Sequence, residues 1–296
     1  MRIFQVDTFT HTRFTGNPAT VIIDADGIDD AALPLIAREF PHAEVAFVYA
    51  ATGADHDVRL RFFSARKEAP FVGHATIAAH RVLLDLGRRG LGPCRQHSGT
   101  GIIEVAARQG AQHGPLIEFR QTLPELAPPL PFKTTLRVAE ALRLPATLLH
   151  EVMPARVARK GGARLLVAAR DAPALDLLTP NGDTLLELGN DLKVDGFFVF
   201  SVERGPDTLS THSRMFCPAL GIPEDPVSGN AHSMLAAYLW ELGQFGRGVT
   251  SFLGHQGRQM RRPGEVMVSL ELAGGRLTAA HIGGHAVIIS EGTLAS

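Results

Sequence analysis

The chain has 296 residues, 45% of them hydrophobic, with 29 Lys plus Arg against 30 Asp plus Glu and a formal charge of −1. At ~150 residues per domain this length points to about two domains, each long enough to bury a core. The charge balance leaves no electrostatic footprint for nucleic acid or an anionic membrane, and two cysteines make neither a disulfide framework nor a four-thiolate zinc site.

The N-terminus, MRIFQVDTFT, lacks the apolar run and small-residue cleavage site of a signal peptide, and no stretch approaches the ~18 apolar residues of a membrane span. A soluble, cytoplasmic protein is therefore expected. Alternation and β-branched content predict strands over 2–7, 19–23, 43–49, 57–63, 100–106 and 116–120. Segment 121–131, QTLPELAPPLP, has four prolines, which fix φ and remove donors, so it reads as an extended connector between domains. A helix is expected over 134–144, capped by Thr134 or Thr135. Strands follow over 164–169, 196–202, 209–216, 249–253, 266–271, 276–281 and 286–290, several of them separated by turn pairs such as Gly161-Gly162 and Asn181-Gly182.

Residues 68–87, EAPFVGHATIAAHRVLLDLG, align without a gap on residues 224–243, EDPVSGNAHSMLAAYLWELG. Seven of the 20 positions are identical: Glu68/Glu224, Pro70/Pro226, Gly73/Gly229, Ala75/Ala231, Leu83/Leu239, Leu86/Leu242 and Gly87/Gly243. Arg61-Phe62-Phe63 and Arg214-Met215-Phe216 extend the match loosely upstream. Shared Glu, Pro and Gly ahead of the helix favour duplication over chance likeness of two apolar helices. After the glycine each copy is apolar in nearly every direction around a helix, so each helix must be buried all round. The solution is an α+β fold of two pseudo-symmetric domains, each a curved, mainly antiparallel sheet or barrel wrapped around one central helix. Gly87 and Gly243 fit the position just past each helix, where φ > 0 costs them little.

Each helix begins at a Pro-x-x-Gly turn with His74 and Thr76 in one copy and Ser228, Asn230 and His232 in the other. Unpaired N–H groups at a helix N-terminus suit a carboxylate. Two such ends facing each other would make an anion-binding cleft between domains. Plain capping by Ser228 or Asn230 needs no ligand, but matched turns carrying His in one copy and Glu224-Asp225 in the other point toward a site.

These segments resemble the PhzF family, named for an isomerase of phenazine biosynthesis, within the diaminopimelate epimerase-like fold. The resemblance runs through VDTFTHTRFTGNPATVI (6–22), AEVAFV (43–48), RFFSARKEAPFVGHATIAAH (61–80), GGARLLVAAR (161–170), GIPEDPVSGNAHSMLAAYL (221–239) and GGHAVIISEG (283–292). GHAT and EDPVSGNA together are the specific motifs. The resemblance implies domains over 1–124 and 130–285, with the C-terminal strand (286–296) returning to the first domain, and a homodimer. It implies a cofactor-independent isomerase that moves a proton between carbons of a small cyclic or unsaturated carboxylic acid. The family's catalytic glutamate falls on Glu44, its histidine on His74 and its aspartate on Asp225. The turn residues Gly73, Ser228, Gly229 and Asn230 fall in the substrate-binding region. Asn230 stands where serine is common in the phenazine enzyme type, Val45 replaces a threonine, and Ser64-Ala65 replaces Thr-Pro, which counts against the phenazine substrate itself.

Glu44 is followed by Val45, Ala46, Phe47 and Val48, so its segment reads as buried on both faces, where a carboxylate needs a partner or a function. A two-thiol racemase is disfavoured, because Cys94 and Cys217 lie outside both glycine turns. A metal hydrolase would draw on the 13 histidines, but no HExxH occurs and His281-x-x-x-His285 spans Gly283-Gly284. No Rossmann or P-loop fingerprint is present, so no nucleotide cofactor is expected. The remaining alternative is a non-catalytic protein that binds a small acid.

Overall fold

The computed structural model describes residues 1–40, 44–65, 67–110 and 113–294. Ala43, at the head of the expected strand 43–49, and residues 295–296 of the expected C-terminal strand lie outside the described residues. In chain order the elements are β1 (Arg2–Thr8), β2 (Asn17–Ile23), α1 (Leu33–Arg38), β3 (Val45–Tyr49), β4 (Val58–Phe63), β5 (Glu68–Ala69), α2 (Gly73–Asp85), β6 (Gly92–Ser98), β7 (Gly101–Gln109) and β8 (Pro115–Thr122). They continue with β9 (Glu125–Leu126), α3 (Phe132–Leu142), β10 (Arg156–Arg159), β11 (Ala163–Ala168), α4 (Ala172–Asp176), α5 (Gly182–Leu192), β12 (Gly196–Arg204), β13 (Leu209–Cys217) and β14 (Ile222–Asp225). The last are α6 (Gly229–Glu241), β15 (Ser251–Gln256), β16 (Gly264–Ala273), β17 (Arg276–Gly284) and β18 (Ala286–Thr293). Among the described residues no helix is long and apolar enough to cross a membrane.

The chain divides into two units, Met1–Arg120 with Gly283–Ser296, and Gln121–Ile282. The borders thus fall a few residues before positions 124 and 285. The proline-rich segment is extended but not free. Glu125–Leu126 pair with β10, and the Ala127 and Leu130 N–H groups donate to Val157 and Ala155 carbonyls at 2.9 and 2.8 Å, so the segment belongs to the second unit.

Both units repeat one pairing order. In the first, β18–β1–β2–β3–β4–β6–β7–β8 is antiparallel except at β2–β3 and β4–β6, and β5 joins β4. In the second, β9–β10–β11–β12–β13–β15–β16 is antiparallel except at β11–β12 and β13–β15, and β14 joins β13. Each curved sheet encloses one helix. α2 buries Ala75 through His80, Val82 and Leu83, and α6 buries Gly229 and Ala231 through Leu239. Both helices end in the same way: Gly87 and Gly243 take φ of +65° and +63°, and the next N–H reaches back to Leu83 or Leu239. On the other sheet face, α1 covers Ile22, Val45 and Phe47 in the first unit, and α3, α4 and α5 cover β10–β12 in the second.

The structure corrects several expected elements. The α3 helix starts at Phe132, because the Pro131 carbonyl accepts from both Thr134 and Thr135 N–H; neither threonine is the cap. Asn181-Gly182 is not a hairpin turn: the Asn181 side chain accepts from Thr184 N–H and starts α5. The polar strand β6 (GPCRQHS) escaped notice because its pairing with β4 and β7, not its hydropathy, makes it a strand.

The two helix cores fill the same space with opposite choices. Thr76 aligns with His232. Gln96 pairs with Val58 and Gly254 with Thr211, each three residues before the shared arginine, so Gln96 and Gly254 are also counterparts. In the first unit the small threonine lies under the long glutamine (3.5 Å). In the second the large histidine fills the place of a missing side chain, since a Cβ on Gly254 would lie 2.1 Å from His232 Cδ2. The larger side chain comes from the strand in one core and from the helix in the other, an exchange that keeps both cores closely packed.

Two fully buried histidines follow from these cores. His80 donates from Nε2 to Gln96 Oε1 at 3.0 Å, while its Nδ1 accepts from the Arg89 guanidinium, which has no acceptor to offer. Burial, then the Arg89 charge, push its pKa down to about 3. His232 donates from Nδ1 to the Ser228 carbonyl at 2.8 Å, and burial pushes its pKa down to about 4. Both pKa values lie below the unfolded value of ~6.5, so below that pH the unfolded chain takes up protons that the native chain refuses. Stability is expected to be complete above pH ~6.5 and to fall toward pH 5, above the carboxylate range. Thermal melts across this window check it, and His80→Gln is expected to flatten the slope.

Candidate active site

Glu44 immediately precedes β3, where its carbonyl accepts from Thr20 N–H at 3.2 Å. Side chains alternate along the strand. Val45, Phe47 and Tyr49 join the cluster beneath α1, which leaves Glu44 on the opposite face, toward α2. There its carboxylate lies 3.2 Å from Nε2 of His74, the second residue of α2. Gly73 lets this helix start close to Phe119; a Cβ there would approach the ring to 2.9 Å. Val45–Tyr49 are buried on both faces of the strand, whereas the Glu44 side chain just before them keeps 32% of its surface exposed and His74 keeps 12%. Burial is still the strongest influence on the Glu44 carboxyl and pushes its pKa up. The His74 hydrogen bond and charge, helped by Glu44's own N–H, outweigh it and hold the pKa below the ordinary 4.5. The result is an ionised, half-exposed carboxylate beside an imidazole.

In the second unit Asp225 ends β14, opposite Met215, and the turn Pro226–Ser228 leads into α6. Every polar group of Ser228 is used. Its N–H donates to Gln256 Oε1 (3.0 Å), its hydroxyl accepts from Ala231 N–H (3.3 Å), and its carbonyl accepts from the N–H and Nδ1 of His232. Ser228 is therefore the N-cap of α6. Gly229 is the first helical residue. Asn230 donates from Nδ2 to the Lys160 carbonyl at 3.1 Å, tying the helix start to the Gly161-Gly162 turn. Gln256 also donates from Nε2 to the Asp225 carbonyl at 2.7 Å. Sequence reasoning missed this glutamine; its one signal is a polar residue ending a strand just before a glycine. Thus the structure brings Glu44 and His74 together in one unit, and Asp225, Ser228, Gly229 and Asn230 together in the other.

Glu224, taken in the sequence as part of an acidic pair marking a site, has a different occupation. It makes a bidentate pair with Arg214 at 2.9 and 2.8 Å, and that guanidinium also donates to the Leu175 and Leu178 carbonyls. The repeat keeps the device: Glu68 pairs with Arg61 at 2.8 and 2.9 Å. In each copy the arginine also lies over the phenylalanine two residues on, Phe63 at 5.2 Å and Phe216 at 4.9 Å. The glutamate shared by the two motifs is thus structural. Cys94 and Cys217 are buried in different units, and burial pushes the Cys94 thiol up. Among the described residues no cluster of His, Cys, Asp and Glu could hold a metal ion.

A family model described as phenazine biosynthesis-like protein matches residues 6–292. An uncharacterized isomerase of Clostridium acetobutylicum is 31% identical over 294 residues, covering 99% of this chain and 97% of that one. The uncharacterized isomerase YddE of Escherichia coli K12 is 34% identical over 293 residues, covering 97% and 96%. The crystal structure of a PhzF-family phenazine biosynthesis protein of Bacillus anthracis matches with a TM-score of 0.87 at 22% identity, over 100% of this chain and 99% of that one. The last likeness shows the fold.

The two arginine pairs differ in burial, and that decides their worth. The Arg214 and Glu224 side chains are 9% and 14% exposed, against 19% and 45% for Arg61 and Glu68. Glu224→Gln leaves a buried guanidinium without its counter-charge and is expected to cost about 3–5 kcal/mol. Glu68→Gln is expected to cost about 1 kcal/mol or less. Urea denaturation of both variants checks the contrast.

Proposed function

The chain belongs to the phenazine biosynthesis-like (PhzC-PhzF) family, and from that premise we propose that it is an isomerase that shifts a proton between two carbons of a small cyclic or unsaturated carboxylic acid, with Glu44 as the proton carrier. The observation that carries this reading is the Glu44 carboxylate, held ionised 3.2 Å from His74 at the start of a buried helix. An ionised carboxylate can take a proton from an activated carbon. Once protonated, it is the acid that returns the proton to another carbon, and the shift is complete without a redox step or a second carrier. His74 orients the carboxylate and, with Asp225, binds the amine or hydroxyl of the substrate. N–H groups at Gly73 and Gly229 stabilise the negative charge that develops as the proton leaves. Asp225, Gly229 and Asn230 enter this reading from their family motif, EDPVSGNA. Asn230, standing where serine is common, favours an acid other than the phenazine precursor.

Cyclic and unsaturated amino and hydroxy acids incubated in deuterated water, with each carbon followed by NMR, test this reading. Glu44→Gln is expected to lower isomerisation and carbon-proton exchange by ~10²–10⁴ without unfolding the chain. Full activity in the folded variant refutes the assignment, and binding of an acid with no exchange at any carbon favours a non-catalytic acid-binding protein. Joint Cys94→Ser and Cys217→Ser replacement is expected to keep turnover within a few-fold.

The pH profile supplies a second check. Glu44 acts as a base only when ionised, so its contribution is complete above its lowered pKa and is lost as pH falls through it. The acid limb of kcat/KM is expected below pH 4.5. In His74→Gln the influences that lower the pKa largely vanish while burial remains, so the limb is expected to move up.

A further inference from the structure

We infer that Gln256 is the positioning residue of Asp225, an inference that rests on the proposed role of Asp225 in holding the substrate. Gln256 ends β15, is 3% exposed, and uses both ends of its amide on one turn. Nε2 donates to the Asp225 carbonyl at 2.7 Å, and Oε1 accepts from the Ser228 N–H at 3.0 Å. The entrance and exit of the Asp225–Ser228 turn are thus held by one rigid, planar group. Gly257 comes next with φ +84°, and a Cβ there would lie 2.3 Å from the Arg262 carbonyl oxygen and 2.8 Å from that of Pro226, so the strand end packs directly beneath the turn.

The other copy of the repeat shows what this bridge is for. Gly99 makes the corresponding approach to Pro70, where a Cβ would come within 2.8 Å of the proline Cα. The residue before it, counterpart of Gln256, is Ser98, whose hydroxyl meets Thr100 Oγ1 at 3.1 Å and does not bridge the turn. Ala69 stands in that copy where Asp225 stands in this one. Packing of the strand end against the proline is therefore common to both turns and needs no glutamine. The amide bridge occurs only where the turn carries the aspartate. A purely architectural role would call for it in both copies.

Two variants and two readouts test this. Gln256→Leu keeps the volume and removes both bonds. It is expected to lower the hydrogen-exchange protection of the Ser228 amide at least tenfold while amides of the first unit are unchanged. With the acid found to turn over in deuterated water, it is expected to raise KM about tenfold and leave kcat within threefold. Gln256→Glu differs by one group. As a carboxylate it repels the Asp225 carbonyl oxygen, whereas when protonated it donates to it as the amide does. Its protection factor and KM are therefore expected to be defective at pH 7 and to recover toward wild type as pH falls through its own titration. Wild-type protection and KM in a folded Gln256→Leu overturn the inference, as does a Gln256→Glu defect that is the same at every pH. If Gln256→Leu does not fold, the pH series of Gln256→Glu decides. If wild type exchanges no carbon proton of any acid it binds, the proposed function fails, and the protection factors alone decide whether Gln256 holds the turn.

Discussion

Burial of two helices that are apolar in nearly every direction is the constraint on which the rest of this chain depends. A helix apolar around most of its circumference cannot bury that surface against a single flat face, so each unit curls its sheet around α2 or α6. Enclosure then governs the polar atoms. Gln96 satisfies His80 and Thr76 in one core. In the other, His232 turns Nδ1 to the Ser228 carbonyl and leaves Nε2 without a hydrogen-bond partner among the described residues. The same strand order and the same two glycine-ended helices accommodate both solutions.

Enclosure also gives the helix N-termini their chemical value. The backbone N–H groups that open a helix cannot be satisfied within it, and in both copies a Pro-x-x-Gly turn leads into them. The copies share the Arg–Glu clamp that ties the strand before each turn to its neighbour. Beyond that clamp they have diverged. The first turn lies beside Glu44 and contributes His74, so its chemistry is that of an ionisable pair. The second contributes Asp225, Asn230 and a capping serine, with Gln256 bonded to both ends of the turn, and its part in the proposed function is recognition. The shared strand order and the shared turns supply the frame, and side chains that differ between the copies supply the proposed division of labour.

How much of this was legible in the residues depends on the range of the interaction. The ungapped repeat exposed the two buried helices, and with them the wrapped-sheet architecture, because helical periodicity and a terminal glycine are local signals. Glu44, His74 and Asp225 were found through motifs, and the structure places the first two 3.2 Å apart. Glu224 was misjudged because its partner, Arg214, is ten residues away across a strand pair that only folding creates. β6 was missed for the same reason: its polar residues become a strand only between β4 and β7. Asn181 looked like a turn residue, and its side chain instead caps α5 by accepting from the Thr184 N–H.

By itself, then, the sequence determined what is encoded locally: which segments must be buried, where the helices stop, which turn motifs carry ionisable groups, and that the chain is built twice. Tertiary structure decided what depends on distant partners. It kept Glu44 an ionised carboxylate by setting the charge and hydrogen bond of His74 against the cost of burial. It made Glu224 a clamp and placed Gln256 under Asp225, 31 residues away along the chain. The physical reason is one of range. Hydropathy and backbone preference act between near neighbours, whereas a pKa, an ion pair or a bridging amide is defined by atoms that meet only when the sheet has closed around its helix.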